Sequence, residues 1–288
     1  MNIKKTNFKL AALAILTAGA ALSACNDIEP GDRYKELPPI DAKRGVLLEE
    51  FTGQMCSNCP LAHDIIKELK SQYGEQLIVV GIHSGGDAFS IAEGDPFWTS
   101  MNVAGLRQPE GETYLNNAGF KSGMGLPIGN VNRMTGLLGR NDWSKKIYDI
   151  IGLEPKVDIN LSAEIVEGAD GKGKEISIKT ILRPTEKFKA NLQLWVLESG
   201  IKSVQLNPDG SMPMDYVHDH VYRAHINGIN GEQTEFDPDL LTEKLHSIKV
   251  RDNWNADNLS IVAFVYDGGG VLQAVETDVL SAPVGAES

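Results

Sequence analysis

Residues 47–74 read LLEEFTGQMCSNCPLAHDIIKELKSQYG, and they hold two of the three cysteines in the 288-residue chain, Cys56 and Cys59. The residues before the pair are apolar and predict a buried strand, whereas apolar residues after it recur at helical spacing up to Gly74. A helix N-terminus offers unpaired backbone N–H groups and a partial positive charge, which stabilise a thiolate. This arrangement predicts a redox pair in which Cys56 is the exposed nucleophile and Cys59 is the buried resolving partner.

The first 25 residues predict export followed by attachment to a membrane. Lysines precede an apolar run over residues 10–22, which suits the core of a signal peptide and is too short to span a bilayer comfortably. The run ends in LSAC, residues 22–25, which resembles the lipobox of bacterial lipoproteins and so implies cleavage before Cys25 and acylation of that cysteine. We therefore predict a signal peptide over residues 1–24 and a lipid anchor at Cys25, with an ordinary secretory signal as the alternative.

The mature chain is expected to be an acidic protein on a tether. Residues 25–44 are polar and contain three prolines, which predicts an acylated N-terminus and a flexible tether. The net charge of the whole chain is −12 and no basic stripe occurs, which argues against nucleic acid as a partner. With Cys25 acylated, Cys56 and Cys59 are left to pair with each other in an oxidising, exported setting. The expected partners are the membrane, through the lipid on Cys25, and the thiols and disulfides of exported proteins.

Two patterns of hydrophobicity divide the rest of the chain. Over residues 45–153, apolar strands alternate with amphipathic helices, which favours an α/β domain built in layers. Over residues 154–288, apolar and polar residues alternate between polar turns, which favours an antiparallel β-sandwich whose length suits an immunoglobulin-like module. The elements predicted in the first region are strands over residues 45–51, 76–83 and 125–136 and helices over residues 59–74, 95–101, 110–118 and 141–152.

The segment EEFTGQMCSNCP, residues 49–60, resembles the active-site segment of the thioredoxin family. In that family an acid at the position of Glu50 ends the preceding strand and exchanges protons with the second cysteine. A buried carboxyl group has a raised pKa, which suits this role. The resemblance therefore implies that Glu50 is the proton relay for Cys59. The neighbouring Glu49 should point to the opposite face, because side chains alternate along a strand.

A second segment, GLPIG at residues 125–129, resembles the thioredoxin-family loop whose cis-proline lies opposite the cysteines. It implies that the bond before Pro127 is cis and that the backbone of Leu126 pairs with a bound peptide strand. Met55 stands where thioredoxins carry a tryptophan, and no proline lies between the two cysteines. These differences leave the redox potential open.

Five segments together resemble the outer membrane protein twenty-eight family of Gram-negative lipoproteins, over nearly all of the mature chain. They are the lipobox, FTGQMCSNCP, GLPIGNVNR, DYVHDHVYRA, and IVAFVYD followed by VLQA. The resemblance implies an α/β thioredoxin-like three-layer domain followed by an all-β immunoglobulin-like sandwich domain. It also implies a lipid-anchored location in the cell envelope at the outer membrane, on either its periplasmic or its surface face.

The predicted function is thiol–disulfide exchange on exported proteins, without a cofactor. The residues predicted to carry it are Cys56, Cys59, Glu50 and Pro127. The alternative is a non-catalytic lipoprotein that uses a thioredoxin fold as a binding scaffold and keeps the two cysteines as a passive disulfide, because a fold does not establish an activity.

Metal binding is the third hypothesis, and we predict no metal site. A structural zinc ion needs four ligands, and the chain has no second cysteine pair to supply them. A copper site formed by the two cysteines and His83 is the stronger alternative to zinc, because thiolates are suitable ligands for Cu(I). His218 and His220 could grip a metal from one strand face, but we expect their segment, HDHVYRAHINGING, to be a polar edge of the second domain. His63 is expected to be a surface or packing residue, and Arg133 a structural one rather than a substrate contact.

Overall fold

The computed structural model describes residues 42–134, 136–168 and 171–280. The signal peptide predicted over residues 1–24, the anchor at Cys25 and all but the end of the tether lie outside the described residues. In the part of the chain that is described, no helix is long and apolar enough to cross a membrane.

The described residues form thirteen strands and four α-helices. The strands are β1 (Val46–Thr52), β2 (Leu77–His83), β3 (Ile128–Val131), β4 (Val157–Glu167), β5 (Lys174–Pro184), β6 (Phe188–Glu198), β7 (Ile201–Ser203), β8 (Tyr216–His218), β9 (Val221–His225), β10 (Glu232–Phe236), β11 (Thr242–Lys249), β12 (Leu259–Asp267) and β13 (Gly270–Asp278). The helices are α1 (Cys59–Tyr73), α2 (Pro96–Ser100), α3 (Pro109–Asn117) and α4 (Trp143–Ile151). The chain therefore has a mixed α/β fold in which strands outnumber helices.

The first region folds in three layers. Strands β1 and β2 are parallel neighbours, and β3 runs antiparallel to β1 on its other side. Both β1 and β2 are buried along their whole length, as is typical of strands that are covered on two faces. One face packs against α1 and α4, through residues such as Ile66 and Trp143, and the other packs against α3, through Tyr114 and Leu115.

Helix α1 follows the cysteine pair as the sequence predicts. Ala62, Ile66 and Leu69 recur at helical spacing and are buried against the sheet. Pro60 lies in the first turn, where a backbone N–H would have no partner within the helix. Gly74 follows the last helical residue with a φ of +57°, a conformation that glycine adopts without a steric penalty.

The second region forms two sheets that pack face to face. Strands β4, β5 and β11 make a three-stranded antiparallel sheet in the order β11–β5–β4. Alternate residues of β4 and β5, such as Ile159 and Ile178, share one apolar core with Leu194 of β6 and Ile261 of β12. The period-two pattern of the sequence produces this core, because each strand turns one set of side chains inward.

A single eight-stranded sheet connects the two predicted regions. Its order is β13–β12–β6–β9–β2–β1–β3, with β10 also paired to β6. Strand β9 makes the connection, because it pairs antiparallel with β6 on one side, while Val221 also pairs in parallel with Gly81 of β2 on the other. The predicted division between residues 153 and 154 thus cuts across one continuous sheet.

The prediction of a polar edge for the segment HDHVYRAHINGING is wrong. Val221 and Tyr222 of this segment are buried in the middle of the large sheet. Arg223 is also buried, and it forms ion pairs with Glu198 at 3.2 Å and Glu93 at 2.8 Å. The polar residues of the segment made it look exposed, although it contains a central strand. The sequence pattern did not show that Arg223 is neutralised in the interior, because its acidic partners lie far from it in the sequence.

Candidate functional site

Cys56 and Cys59 form a disulfide at the start of α1, with their Cα atoms 5.4 Å apart. Cys56 precedes the helix, and Cys59 is its first residue. Asn58 is the N-cap residue, but its side chain makes no capping hydrogen bond. The N–H groups of the first turn are therefore not taken up by a capping side chain and are placed to stabilise a thiolate after reduction.

A segment from the second region covers Cys56. Within residues 203–207, which we call the covering segment, Gln205 Nε2 donates to the carbonyl oxygen of Cys56 at 3.1 Å. The N–H of Leu206 donates to the carbonyl oxygen of Gln54 at 2.8 Å. Cys56 is only 3% exposed, so the prediction of an exposed nucleophile is wrong for the disulfide form. The physical reason is that Cys56 packs in an apolar cluster with residues distant in the sequence and is bonded by Gln205, 149 positions away, neither of which the local sequence pattern contains.

Glu50 lies in β1 with its side chain turned toward α1. It is buried, and its Oε1 atom lies 3.5 Å from Nε2 of His63. His63 comes one helical turn after Cys59, on the same face of α1, so this contact places the Glu50 carboxyl group beneath the first turn of the helix. Burial raises the pKa of Glu50 to about 8, partly offset by a hydrogen bond with Thr52.

His63 belongs to a polar contact chain that the sequence did not reveal. Its Nε2 atom lies 3.1 Å from the hydroxyl oxygen of Thr52, and its Nδ1 atom lies 2.8 Å from the hydroxyl oxygen of Tyr216. Burial lowers the pKa of His63 to about 4, and the nearby charge of Lys67 lowers it further. We expected His63 to be a surface or packing residue. Its hydrogen-bonding contacts could not be predicted from the sequence, since Tyr216 is 153 positions away.

A cavity of about 230 Å³ lies beside the contact between Glu50 and His63. Its titratable lining residues are Glu50, His63, Lys67, Lys70, His83, Tyr216, His218, Asp219 and His220. Both ring nitrogens of His83 are buried and have no hydrogen-bond partner among the described residues, and the ring of His218 lies edge-on to it at 5.5 Å. Burial, together with His218, lowers the pKa of His83 well below its usual value, and burial lowers the pKa of His218 to about 4. These imidazoles are therefore uncharged at neutral pH.

The histidines of the cavity are not arranged as the metal-binding pair that the sequence suggested. His218 ends β8, whereas His220 lies in the turn before β9 with a φ of +54°, so the two do not share a strand face. In the described ranges, no group of three or more histidine, cysteine, aspartate or glutamate side chains is arranged to hold a metal ion.

The loop before β3 brings a second sequence-predicted residue to the cysteines. The bond between Leu126 and Pro127 is cis, as the resemblance implies. Leu126 is buried in the same apolar cluster as Cys56 and Cys59. The structure thus gathers the cysteine pair and the loop of Pro127 in one place, although they are about 70 residues apart in the sequence.

Glu49 points to the opposite face of β1 from Glu50 and forms an ion pair with Arg133. The Nε and Nη2 atoms of Arg133 donate to the Glu49 carboxylate at 2.6 to 3.1 Å. The guanidinium group also lies 4.6 Å from the ring centre of Tyr266 and 4.9 Å from that of Phe264. Burial lowers the pKa of Arg133, but the charge and hydrogen bonds of Glu49 more than offset this, so the pKa is raised overall. These contacts are those of a structural residue, and the expectation of a structural role for Arg133 stays a prediction.

Comparison with known proteins gives a family and a fold. The family model described as outer membrane protein Omp28 matches residues 117–284, which is more than half of the chain but does not include the cysteine pair. Among solved structures, HBP35 of Porphyromonas gingivalis matches with a TM-score of 0.60 and 17% identity, covering 85% of this chain and 79% of that one. At this identity the likeness shows a shared fold and nothing further.

A domain of the outer membrane lipoprotein Omp28 from Porphyromonas gingivalis also matches, at 24% identity and a TM-score of 0.31. This match covers 44% of the present chain and 97% of the other. Among curated protein sequences, none matches. On the strength of the family model, the chain belongs to the outer membrane protein Omp28 family, which places it at the outer membrane, as the resemblance of its sequence motifs to that family implies.

Proposed function

We propose that this protein is a lipoprotein that exchanges thiols and disulfides with exported proteins at the outer membrane. It is held there by acyl chains on Cys25 after removal of residues 1–24. The observation that carries the proposal is the disulfide between Cys56 and Cys59 at the N-terminus of α1, above a buried carboxyl group, Glu50, whose pKa is raised to about 8. Such a group is suited to exchange protons with a thiol near neutral pH.

The exchange proceeds in two steps. In the reduced protein, the Cys56 thiolate attacks one sulfur of a substrate disulfide, and the other substrate sulfur leaves as a thiolate and takes a proton from water. Cys59 then gives its proton to the Glu50 carboxylate and attacks the Cys56 sulfur as a thiolate. The Cys56–Cys59 disulfide forms, and the second substrate sulfur leaves as a thiolate that takes a proton from water. Two electrons pass to the substrate, and the same steps in reverse oxidise a dithiol.

We further propose that residues 45–153 form a thioredoxin-like part and residues 154–288 an immunoglobulin-like part, joined through the eight-stranded sheet. The helix–sheet–helix layering around β1 supports the first assignment, and the two sheets packed around Ile178 support the second. In this arrangement, Pro127 borders the substrate site, and the backbone of Leu126 pairs with an extended substrate segment.

The experiment that tests the exchange activity is capture of the mixed disulfide. Cys59→Ser, prepared as the full-length protein in detergent, should form a lasting covalent adduct with a peptide disulfide through Cys56. Cys56→Ser should form none, although it also retains one thiol. Mass spectrometry of the adducts under non-reducing conditions gives the readout. If wild-type protein neither reduces nor oxidises the peptide and Cys59→Ser captures nothing, the proposal is wrong.

A second candidate function is binding without catalysis, and the burial of Cys56 favours it. A disulfide whose first cysteine is 3% exposed and held by Gln205 is protected from attack by another protein. In that case the cysteines stabilise the start of α1 and a different surface binds the partner. The absence of any adduct in the capture experiment supports this candidate.

A further inference from the structure

The contacts around Glu50 lead from the buried carboxyl group toward solvent through His63. The side chain of Glu50 is 4% exposed and that of His63 is 16% exposed, with 3.5 Å between Oε1 and Nε2. The Oε1 atom has no hydrogen-bond partner in the described part of the chain. An unpartnered, buried carboxyl oxygen is costly, and the imidazole nitrogen 3.5 Å away is a group that can exchange a proton with it.

Tyr216 extends this path on the other side of the imidazole ring. Its hydroxyl oxygen lies 2.8 Å from His63 Nδ1, and the residue is half-buried at the cavity. An imidazole ring accepts a proton on one nitrogen while it releases another from the opposite nitrogen. Glu50, His63 and Tyr216 therefore lie in the order that proton transfer across the ring requires.

We propose that His63 and Tyr216 pass protons between Glu50 and solvent during thiol–disulfide exchange. The inference rests on the proposed function and makes His63 a positioning residue, since it acts through Glu50 and not on the cysteines. After Cys59 has given its proton to Glu50, the carboxyl group gives a proton to His63 Nε2. The Nδ1 proton passes to the Tyr216 oxygen, and the hydroxyl proton of Tyr216 passes to solvent. This transfer restores the Glu50 carboxylate and leaves His63 as its Nε2–H tautomer.

The charged and titratable groups that face His63 come from three strands, one turn and its own helix. They are Glu50 on β1, His83 on β2, Tyr216 and His218 on β8, Asp219 after β8, and Lys67 on its own helix. Asp219 favours a protonated imidazole, whereas burial and Lys67 oppose it. His63 therefore rests as a neutral ring, which is the form that both accepts and donates a proton.

The test separates the two steps of exchange in the full-length protein in detergent. Stopped-flow measurements with a fluorescent peptide disulfide follow formation of the mixed disulfide and then its resolution, between pH 6 and 9. His63→Gln should leave the first step unchanged and slow the second by roughly 10-fold to 100-fold. This is less than the range of about 10²–10⁴ for a group that takes the proton directly, because His63 acts through Glu50. Tyr216→Phe should slow the second step by a smaller factor. His246→Gln, in the β11 strand away from the cavity, serves as the control.

A rescue experiment distinguishes proton transfer from a structural role. Added imidazole should restore resolution in His63→Ala and leave wild-type protein unchanged, which a merely structural histidine would not allow. If His63→Gln resolves the mixed disulfide at the wild-type rate over the whole pH range while wild-type exchange proceeds, the relay is wrong and the proposed function stands. If wild-type protein shows no exchange at all, the proposed function fails, and the relay fails with it.

Discussion

At the scale of single residues, Glu50 is the proposed acceptor of the Cys59 proton. We expect Glu50→Gln to slow resolution of the mixed disulfide by about 10²-fold to 10⁴-fold, because the amide cannot accept the Cys59 proton. In wild-type protein the resolution rate should rise with pH around a midpoint near 8, since only the deprotonated carboxyl group accepts a proton. Stopped-flow kinetics at several pH values give both results. Glu68→Gln on the exposed face of α1 is the matched control, and an unchanged profile in Glu50→Gln would remove Glu50 from the mechanism.

The neighbouring Glu49 is the buried ion-pair partner of Arg133, and we expect this pair to stabilise the fold. Arg133→Met leaves the Glu49 carboxylate buried without its partner, which should lower the free energy of unfolding by about 3–5 kcal/mol. Urea denaturation measures the loss. Lys145→Met removes one member of an exposed pair with Asp149 and should change stability little, since exposed ion pairs contribute little. Equal denaturation midpoints for the two variants would contradict a structural role for Arg133.

At the scale of elements, we expect the covering segment to limit access to Cys56. Gln205→Ala removes the hydrogen bond to the Cys56 carbonyl, and a typical bond contributes about 1 kcal/mol, so reduction of the disulfide by dithiothreitol should be about fivefold faster. Asn207→Ala changes the same segment at a residue that bonds Ser211, and it should leave the rate unchanged. Thiol labelling after timed reduction measures both rates. Equal rates in wild type and Gln205→Ala would mean that the segment is no barrier.

The sequence could predict single helices and strands of the candidate site, but not the contacts between distant ones. Helix α1, the strand before it and the cis bond at Pro127 follow from local spacing or from a family resemblance carried by short motifs. The contacts of His63 with Tyr216 and of Cys56 with Gln205 join residues about 150 positions apart, and the fold alone brings them together. Local patterns carry no information on such pairs, so these parts of the candidate site became visible only in three dimensions.

At the scale of the whole molecule, the eight-stranded sheet should make the two regions unfold together. Strand β9 is inserted between β2 and β6, and the ring of Tyr222 packs edge-on against Trp195 at 5.3 Å and Tyr114 at 5.5 Å, one from each region. Tyr222→Ala should therefore lower stability by about 3–5 kcal/mol, as is common for a large buried aromatic residue. Because the regions share this core, backbone amides of β1 and β5 should lose protection by the same amount.

Hydrogen exchange read by mass spectrometry tests this coupling, since peptides from β1 and β5 report on the two regions separately. Tyr148→Ala on α4 is the control, because this side chain is 72% exposed and its loss should alter neither peptide. A two-state molecule opens both strands in one event, so the free energies of exchange should fall in parallel in Tyr222→Ala. If β5 keeps its protection while β1 loses it, the chain folds as two independent domains that divide near residue 153, and the shared sheet does not couple them.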